Sequence, residues 1–333
     1  MRDDPMKRNF CLVGLTLAAC YLVLPTTTTH AEPTIYWTDR GSNKIQRANL
    51  DEGGVEDLVV TGLKEPVSIA LDVVGGKMYW TEASPADFMI FRANLDGTNG
   101  EHLVTALTEP SGIALDTTAG KMYWTDVGTG KISRANIDGD GAHGIEDLVS
   151  DPTLDAIELA LDVAHGKMYW TGSTPAGSMI FRANLDGTSA EVLVTGLGRA
   201  SGIALNTAAG KIYWTDVAAG KIQRANLNGT GVEGLVTPGV SVKEPVRIAL
   251  DVAAGKMYWT EGSPADFMIS RANLDGSNAE FLVTALFDPS GIALQLSTGP
   301  PIPAIGSWGL VVLFGGLLVA GSVLLRARRS LCI

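Results

Sequence analysis

The body of this 333-residue chain lacks cysteine: Cys11, Cys20 and Cys332 all lie near its ends. The stretch between them therefore folds without disulfides and offers no thiolate metal site. Basic residues are also scarce. The formal net charge is −11, a balance that disfavours nucleic acid, whose phosphates require a basic stripe, and anionic lipid surfaces. Charged residues make up only 18% of the chain, with no block of one sign to mark a long solvated helix. Three of the few histidines, His102, His143 and His165, fall at unrelated positions with no zinc-ligand spacing. There is no Ser-His-Asp elbow, and nothing in the composition calls for a cofactor. Glycine, in contrast, is plentiful and evenly spread, with 39 residues, which implies many turns.

The two ends read as addresses. Met6-Lys7-Arg8 begins a basic region, Phe10 to Leu24 is apolar, and Thr29-His30-Ala31 has small residues where a signal peptidase reads. Residues 1–31 are thus expected to be a secretory signal peptide. Leu17-Ala18-Ala19-Cys20 offers a competing reading as a lipobox, with Cys20 lipidated. At the other end, Gly309 to Leu325 is an uncharged run of 17 residues fronted by Trp308 and followed by Arg326, Arg328 and Arg329. This predicts a membrane-anchoring helix over 308–325 with a basic cytoplasmic tail, 326–333, preceded by a Pro/Gly linker, 297–307. Ile302-Pro303-Ala304-Ile305-Gly306-Ser307-Trp308 resembles the IPTL-CTERM sorting tail of Gram-negative bacteria, although Ala304 and Gly306 depart from its motif. That resemblance implies a bacterial surface protein whose tail is a sorting signal.

The dominant feature is an internal repeat. Tyr-Trp-Thr recurs at Tyr36-Trp37, Tyr79-Trp80, Tyr123-Trp124, Tyr169-Trp170, Tyr213-Trp214 and Tyr258-Trp259, with spacings of 43, 44, 46, 44 and 45. Each repeat holds four short apolar segments separated by turn residues, as in Ser68–Asp72, Lys77–Glu82, Met89–Leu95 and Glu101–Val104. Four short strands repeated every forty-odd residues predict an all-β, six-bladed propeller over 34–296. The chain begins on a Tyr-Trp strand and ends on an Ile-Ala-Leu strand. The last strand, near Ser290 to Leu296, is therefore expected to complete the blade begun at Thr34, a 3+1 closure.

Tyr36-Trp37-Thr38-Asp39, Tyr123-Trp124-Thr125-Asp126 and Tyr213-Trp214-Thr215-Asp216 resemble the YWTD repeats of the low-density lipoprotein receptor family. The Tyr79 and Tyr258 versions end in Glu82 and Glu261, and the Tyr169 version in Gly172, a departure. The resemblance implies a rigid binding scaffold. It does not extend to lipoprotein ligands, because no Cys-rich modules flank the repeats. Neighbouring strand residues face opposite sides, so Tyr and Trp should pack into the two gaps flanking each blade, a structural role. The closing carboxylate should bond turn amides or a nearby cation.

A second periodicity overlies the first. The offset from Thr to the next Ile alternates 7, 9, 7, 9, 7, 9 around the chain, so the propeller reads as three two-blade units. The residue before Ile/Leu-Ala-Leu is Ser68, Gly112, Glu158, Gly202, Arg247 and Gly291 in turn, polar only in the long-loop blades. These positions and the long loops lie at one end of the ring. The candidate binding face is Asp87, Phe88, Asp266 and Phe267 on loops, with Ser68, Glu158 and Arg247 near the axis. The competing reading is duplication of a two-blade unit, with Glu158 and Arg247 a solvated ion pair. The expected function is a non-enzymatic surface module that binds a protein or glycan. The alternative is a lactonase-like hydrolase with an axial metal ion.

Overall fold

The computed structural model describes residues 33–50, 53–59, 61–85, 87–138, 144–235, 242–264 and 267–296. The expected signal peptide, linker, membrane helix and basic tail lie outside the described residues. Among the described residues no helix is long and apolar enough to cross a membrane.

Six four-stranded antiparallel sheets form the blades of a propeller. Blade 1 takes its inner strand, Pro289–Gln295, from the far end of the propeller and the other three, Thr34–Asp39, Lys44–Asn49 and Gly53–Val59, from its beginning. Trp37 pairs with Ile292 and Tyr36 with Ala293, which establishes the 3+1 closure. The inner strands of blades 2 to 6 are Pro66–Asp72, Pro110–Asp116, Asp155–Asp162, Ala200–Asn206 and Pro245–Asp251. Successive inner strands lie against one another all the way round, including Pro245–Asp251 on Pro289–Gln295 and Pro289–Gln295 on Pro66–Asp72.

The core is divided into six clusters, one in each gap between blades. Each cluster joins the tyrosine of one blade to the tryptophan of the next: Tyr36 with Trp80, Tyr79 with Trp124, and so on to Tyr258 with Trp37. Because alternate strand residues face opposite ways, one dipeptide serves two gaps. Each of these rings is at most 3% exposed and contributes about 2–3 kcal/mol by area.

The 7/9 alternation is a difference in hairpin length. In blade 2, Ala83 pairs with Phe88 and Ser84 with Asp87. In blade 4, Ser173 pairs with Ser178 and Thr174 with Gly177. Asp87 and Phe88 therefore lie in the strand Asp87–Asn94 and not in a loop as the sequence suggested. The two added residues on that strand continue the ladder outward and leave only the tip as a turn.

Candidate binding site at the axial funnel

The site is built where the inner strands begin. Each inner strand slips register there, for example between Pro66 and Ile69, Pro110 and Ile113, and Pro245 and Ile248. A bulge leaves backbone groups outside the ladder, and buried N–H groups need acceptors. The threonine of Tyr-Trp-Thr supplies one. Ser68, Gly112, Gly202, Arg247 and Gly291 each donate a backbone N–H to the threonine Oγ1 of their own blade at 2.7–3.1 Å. All six hydroxyls then donate across the gap to a carbonyl of the next inner strand: Thr38 to Val67, Thr81 to Ser111, Thr125 to Ile157, Thr171 to Ser201, Thr215 to Val246 and Thr260 to Ser290. The ring of relays holds the six strand starts in a circle.

The closing carboxylates anchor the segments leading into those starts. Asp126 accepts from the amides of Thr108, Glu109 and Thr129, and Asp216 from those of Gly198, Arg199 and Ala219. In blade 4 the carboxylate is replaced by Gly172, where a Cβ would lie 2.9 Å from the Asp155 carbonyl and 3.0 Å from Leu154 Cδ1. The buried Leu154 takes up that space.

Ser68, Glu158 and Arg247 do converge on the axis. Arg247 Nε lies 2.6 Å from Glu158 Oε2, although the N–H is not aimed along that line, so the contact is ionic. Its other nitrogens donate to Ser201 Oγ at 2.5 Å and Ser111 Oγ at 3.1 Å. Ser68 Oγ donates to Glu158 Oε2 at 3.0 Å. One network thus crosses the axis and joins blades 2 to 6. The two charged side chains are 6% and 9% exposed, which corrects the solvated-pair reading. Lining up six strand starts around a narrow axis removes water from whatever stands there. Burial pushes the Glu158 carboxyl up and pulls the Arg247 guanidinium down, each opposed by the charge of the other. The alternating glycines let the backbone of the next inner strand approach: a Cβ at Gly202 would sit 2.7 Å from Arg247 Cα, and one at Gly291 2.7 Å from Ser68 Cα.

Above this floor opens a funnel of about 370 Å³ whose lining includes Arg40, Glu109, Arg199, Arg247, Glu244 and Asp288. The strand register explains its charged rim. The residues pairing with the last Tyr-Trp-Thr-Asp position are Pro66, Pro110, Ala156, Ala200, Pro245 and Pro289. The residue before each is Glu65, Glu109, Asp155, Arg199, Glu244 or Asp288, five carboxylates and one guanidinium, of which Glu109, Arg199, Glu244 and Asp288 line the funnel. Arg40 lies 3.6 Å from Glu65. Partial burial and the nearby Asp39 push the Asp288 carboxyl up against the pull of Arg40. Sequence reasoning missed this ring although the signal was present, an acidic residue directly before the proline. Phe88 and Phe267 are half-buried and lie outside the funnel lining. The Asp87 side chain and Asp266 lie outside the described residues. Among the described residues no three His, Cys, Asp or Glu side chains are placed to hold a metal ion.

At the opposite end a second ring was also missed. Each Arg of Arg-Ala-Asn donates to a carbonyl of the next blade, from Arg47 to Leu95 through to Arg271 to Leu50 at 3.1 Å. Each also pairs with a glutamate of its own outer strand, such as Glu101 or Glu280.

Comparison with known proteins agrees with this architecture. The model for the low-density lipoprotein receptor repeat class B matches residues 76–117, 120–141, 210–237 and 255–294. The human low-density lipoprotein receptor-related protein 5-like protein is 31% identical over 197 residues, 59% of this chain and 59% of that protein. Mouse nidogen-2 is 38% identical over 68 residues, 20% of this chain and 5% of its own length. Mouse low-density lipoprotein receptor-related protein 5 is 36% identical over 67 residues, 20% of this chain and 4% of its own length. The chain thus spans from a few per cent to about three-fifths of these curated relatives. A chain in the crystal structure of a nidogen/laminin complex superposes with a TM-score of 0.69 at 21% identity, covering 80% of this chain and all of that one. TolB from Acinetobacter baumannii superposes at 0.62 with 13% identity, over 80% of this chain and 67% of TolB. Both are likenesses of fold. Four segments of the chain thus match the low-density lipoprotein receptor class B repeat, within a six-bladed propeller that carries Tyr-Trp-Thr in every blade.

Proposed function

We propose that this chain is a non-enzymatic interaction module, exported by its N-terminal segment and held at the cell surface by its C-terminal one, which binds a protein or glycan at the funnel end of its propeller. One observation carries the reading: a rim of charged side chains surrounds a floor whose own charges, Glu158 and Arg247, are already paired and buried. A floor spent on internal contacts shapes a pocket, and the rim and hairpins above it are left to meet a partner, as is usual for loops on a rigid scaffold. A protein partner is in keeping with this fold, which also occurs in a chain of a nidogen/laminin complex. The hydrolase alternative is not favoured. A hard cation needs several convergent oxygen ligands, and here the single axial carboxylate is engaged by Arg247.

The test is a pulldown with the full chain against cell-surface and matrix components, repeated with Arg40→Glu and Asp288→Lys at the rim and Asp96→Lys and Asp186→Lys at the opposite end. Loss of the same bound species with the rim pair alone supports the proposal. Equal loss with both pairs, or with neither, places the binding elsewhere.

A further inference from the structure

The pseudo-threefold pattern is broken in one region, and two separate departures meet there. Before the inner strand, blade 5 carries Arg199 where the other five blades carry carboxylates. At the neighbouring long hairpin, blade 4 has Gly177-Ser178 where blades 2 and 6 have Asp87-Phe88 and Asp266-Phe267. Ser178 is only 6% exposed because its hydroxyl accepts the N–H of Ala200 at 2.8 Å. Gly177 has no side chain to raise the wall. A groove of about 650 Å³ opens there, lined by Ser173, Gly177, Ser178, Arg199, Lys243 and Glu244 among others. Arg199, Val217 and Glu244 line both this groove and the funnel, so the two are continuous from the edge of the face towards the axis.

The charges select the occupant. Arg199 and Lys243 stand in this groove, while Glu109, Glu244 and Asp288 line the funnel it leads into. A polyanion such as a sulfated glycan would be drawn to Arg199 but meet carboxylates along the rest of its length, in a chain of net charge −11. An extended peptide can present both signs a few ångströms apart. A guanidinium also matches a carboxylate with two parallel hydrogen bonds, and a wall of glycine and serine lets a peptide backbone approach closely.

We infer that the groove between the blade 4 hairpin and Arg199 takes an extended peptide segment of the partner, with one Asp or Glu side chain on Arg199 and neutral or basic neighbours directed into the funnel. This rests on the interaction-module reading and adds the chemistry of the ligand and its place on the face. The test uses the immobilised full chain and a phage-displayed library of random linear peptides, with heparin as a second probe. Recovered peptides should share one acidic position flanked by neutral or basic residues. They should bind at least about tenfold more weakly to Arg199→Glu, since truncating a paired charge in an interface commonly costs that much or more. Lys243→Glu should weaken them less. Thermal unfolding of the variants should match the parent, because Arg199 is exposed. Peptides that lose binding with Arg40→Glu or Asp288→Lys but not with Arg199→Glu would overturn the groove while leaving the module reading intact. Peptides insensitive to every variant of this face would overturn both. Heparin binding abolished by Arg199→Glu, without acidic peptides, would overturn the choice of a peptide ligand.

Discussion

Thr260→Val tests the threonine relay at the step from blade 6 to the closing strand. Thr260 is fully buried. Its hydroxyl accepts the Arg247 N–H at 3.0 Å and donates to the Ser290 carbonyl at 2.8 Å. Ser290 belongs to the strand that completes blade 1, so this bond joins blade 6 to the closing strand. Valine has nearly the same shape, so packing is kept and the loss is polar. One buried donor and one buried acceptor are left unsatisfied, at about 1–3 kcal/mol each, or roughly 2–6 kcal/mol together. For a domain of this size each kcal/mol is about 2–4 °C in Tm, which puts the expected fall at roughly 4–24 °C. The assay is thermal unfolding followed by near-ultraviolet circular dichroism of the buried tryptophans. Thr260→Ser, which keeps the hydroxyl, should recover most of the loss. Thr215→Val removes the equivalent two bonds, from the Gly202 N–H within blade 5 and to the Val246 carbonyl of blade 6, and should cost about as much as Thr260→Val, because in both cases the chain runs directly from one blade's outer strand into the next inner strand. If Thr260→Val unfolds within about 1 °C of the parent, the relay is incidental and the reasoning fails. If serine does not rescue, the effect is packing and not hydrogen bonding.

The axial pair should behave as buried charges do. Glu158→Gln or Arg247→Met alone should cost about 3–5 kcal/mol in urea unfolding, whereas the double apolar replacement Glu158→Leu/Arg247→Met should cost much less than their sum. Arg271→Lys should fail to replace Arg271, because an ammonium cannot reach both Glu280 and the Leu50 carbonyl as the guanidinium does; a destabilisation of about 1–2 kcal/mol is expected from the lost bond to Leu50, and a parental urea midpoint would refute it. Asp288 provides a pH test. Its folded-state pKa is raised, first by burial, so the folded chain holds this proton more tightly than the unfolded chain. Its contribution to stability is present at acid pH and is lost as pH rises from the ordinary aspartate range through the raised value. Asp288→Asn should therefore raise the urea midpoint at neutral pH and lose that advantage below the ordinary range; an equal gain at both pH values would contradict the assignment.

Much of the fold was legible because its causes are local and repeated. Strand alternation dictates that Tyr and Trp face opposite gaps, and the offset between the first and last segments requires a strand from the end to complete the first blade. The pairing of Trp37 with Ile292 follows from that count. The site was legible only in part. The alternation of Ser68, Glu158 and Arg247 with glycines marked the axis, yet it could not reveal that the pair there is buried. Burial there depends on six strand starts from all round the ring closing together, and no single repeat contains that information. Phe88 and Phe267 were chosen as exposed loop aromatics, but hairpin extension moved Phe88 into a strand and neither lines the funnel. The rim carboxylates were overlooked because an acidic residue before proline is unremarkable in one repeat, and its recurrence in four of the six, with Asp155-Ala156 in a fifth, shows only when the repeats are superposed.

By itself, then, the sequence determined the number of blades, their closure and the faces of their aromatic residues, since period-two alternation and repeat length are properties of the chain. The tertiary structure decided what the shared threonines and arginines do, that Glu158 and Arg247 neutralise one another in a buried contact, and that a groove leads into the funnel at blades 4 and 5. Those outcomes depend on which atoms of distant repeats meet across the gaps and the axis. Hydrogen bonding and desolvation act over a few ångströms and are settled only once the ring has closed.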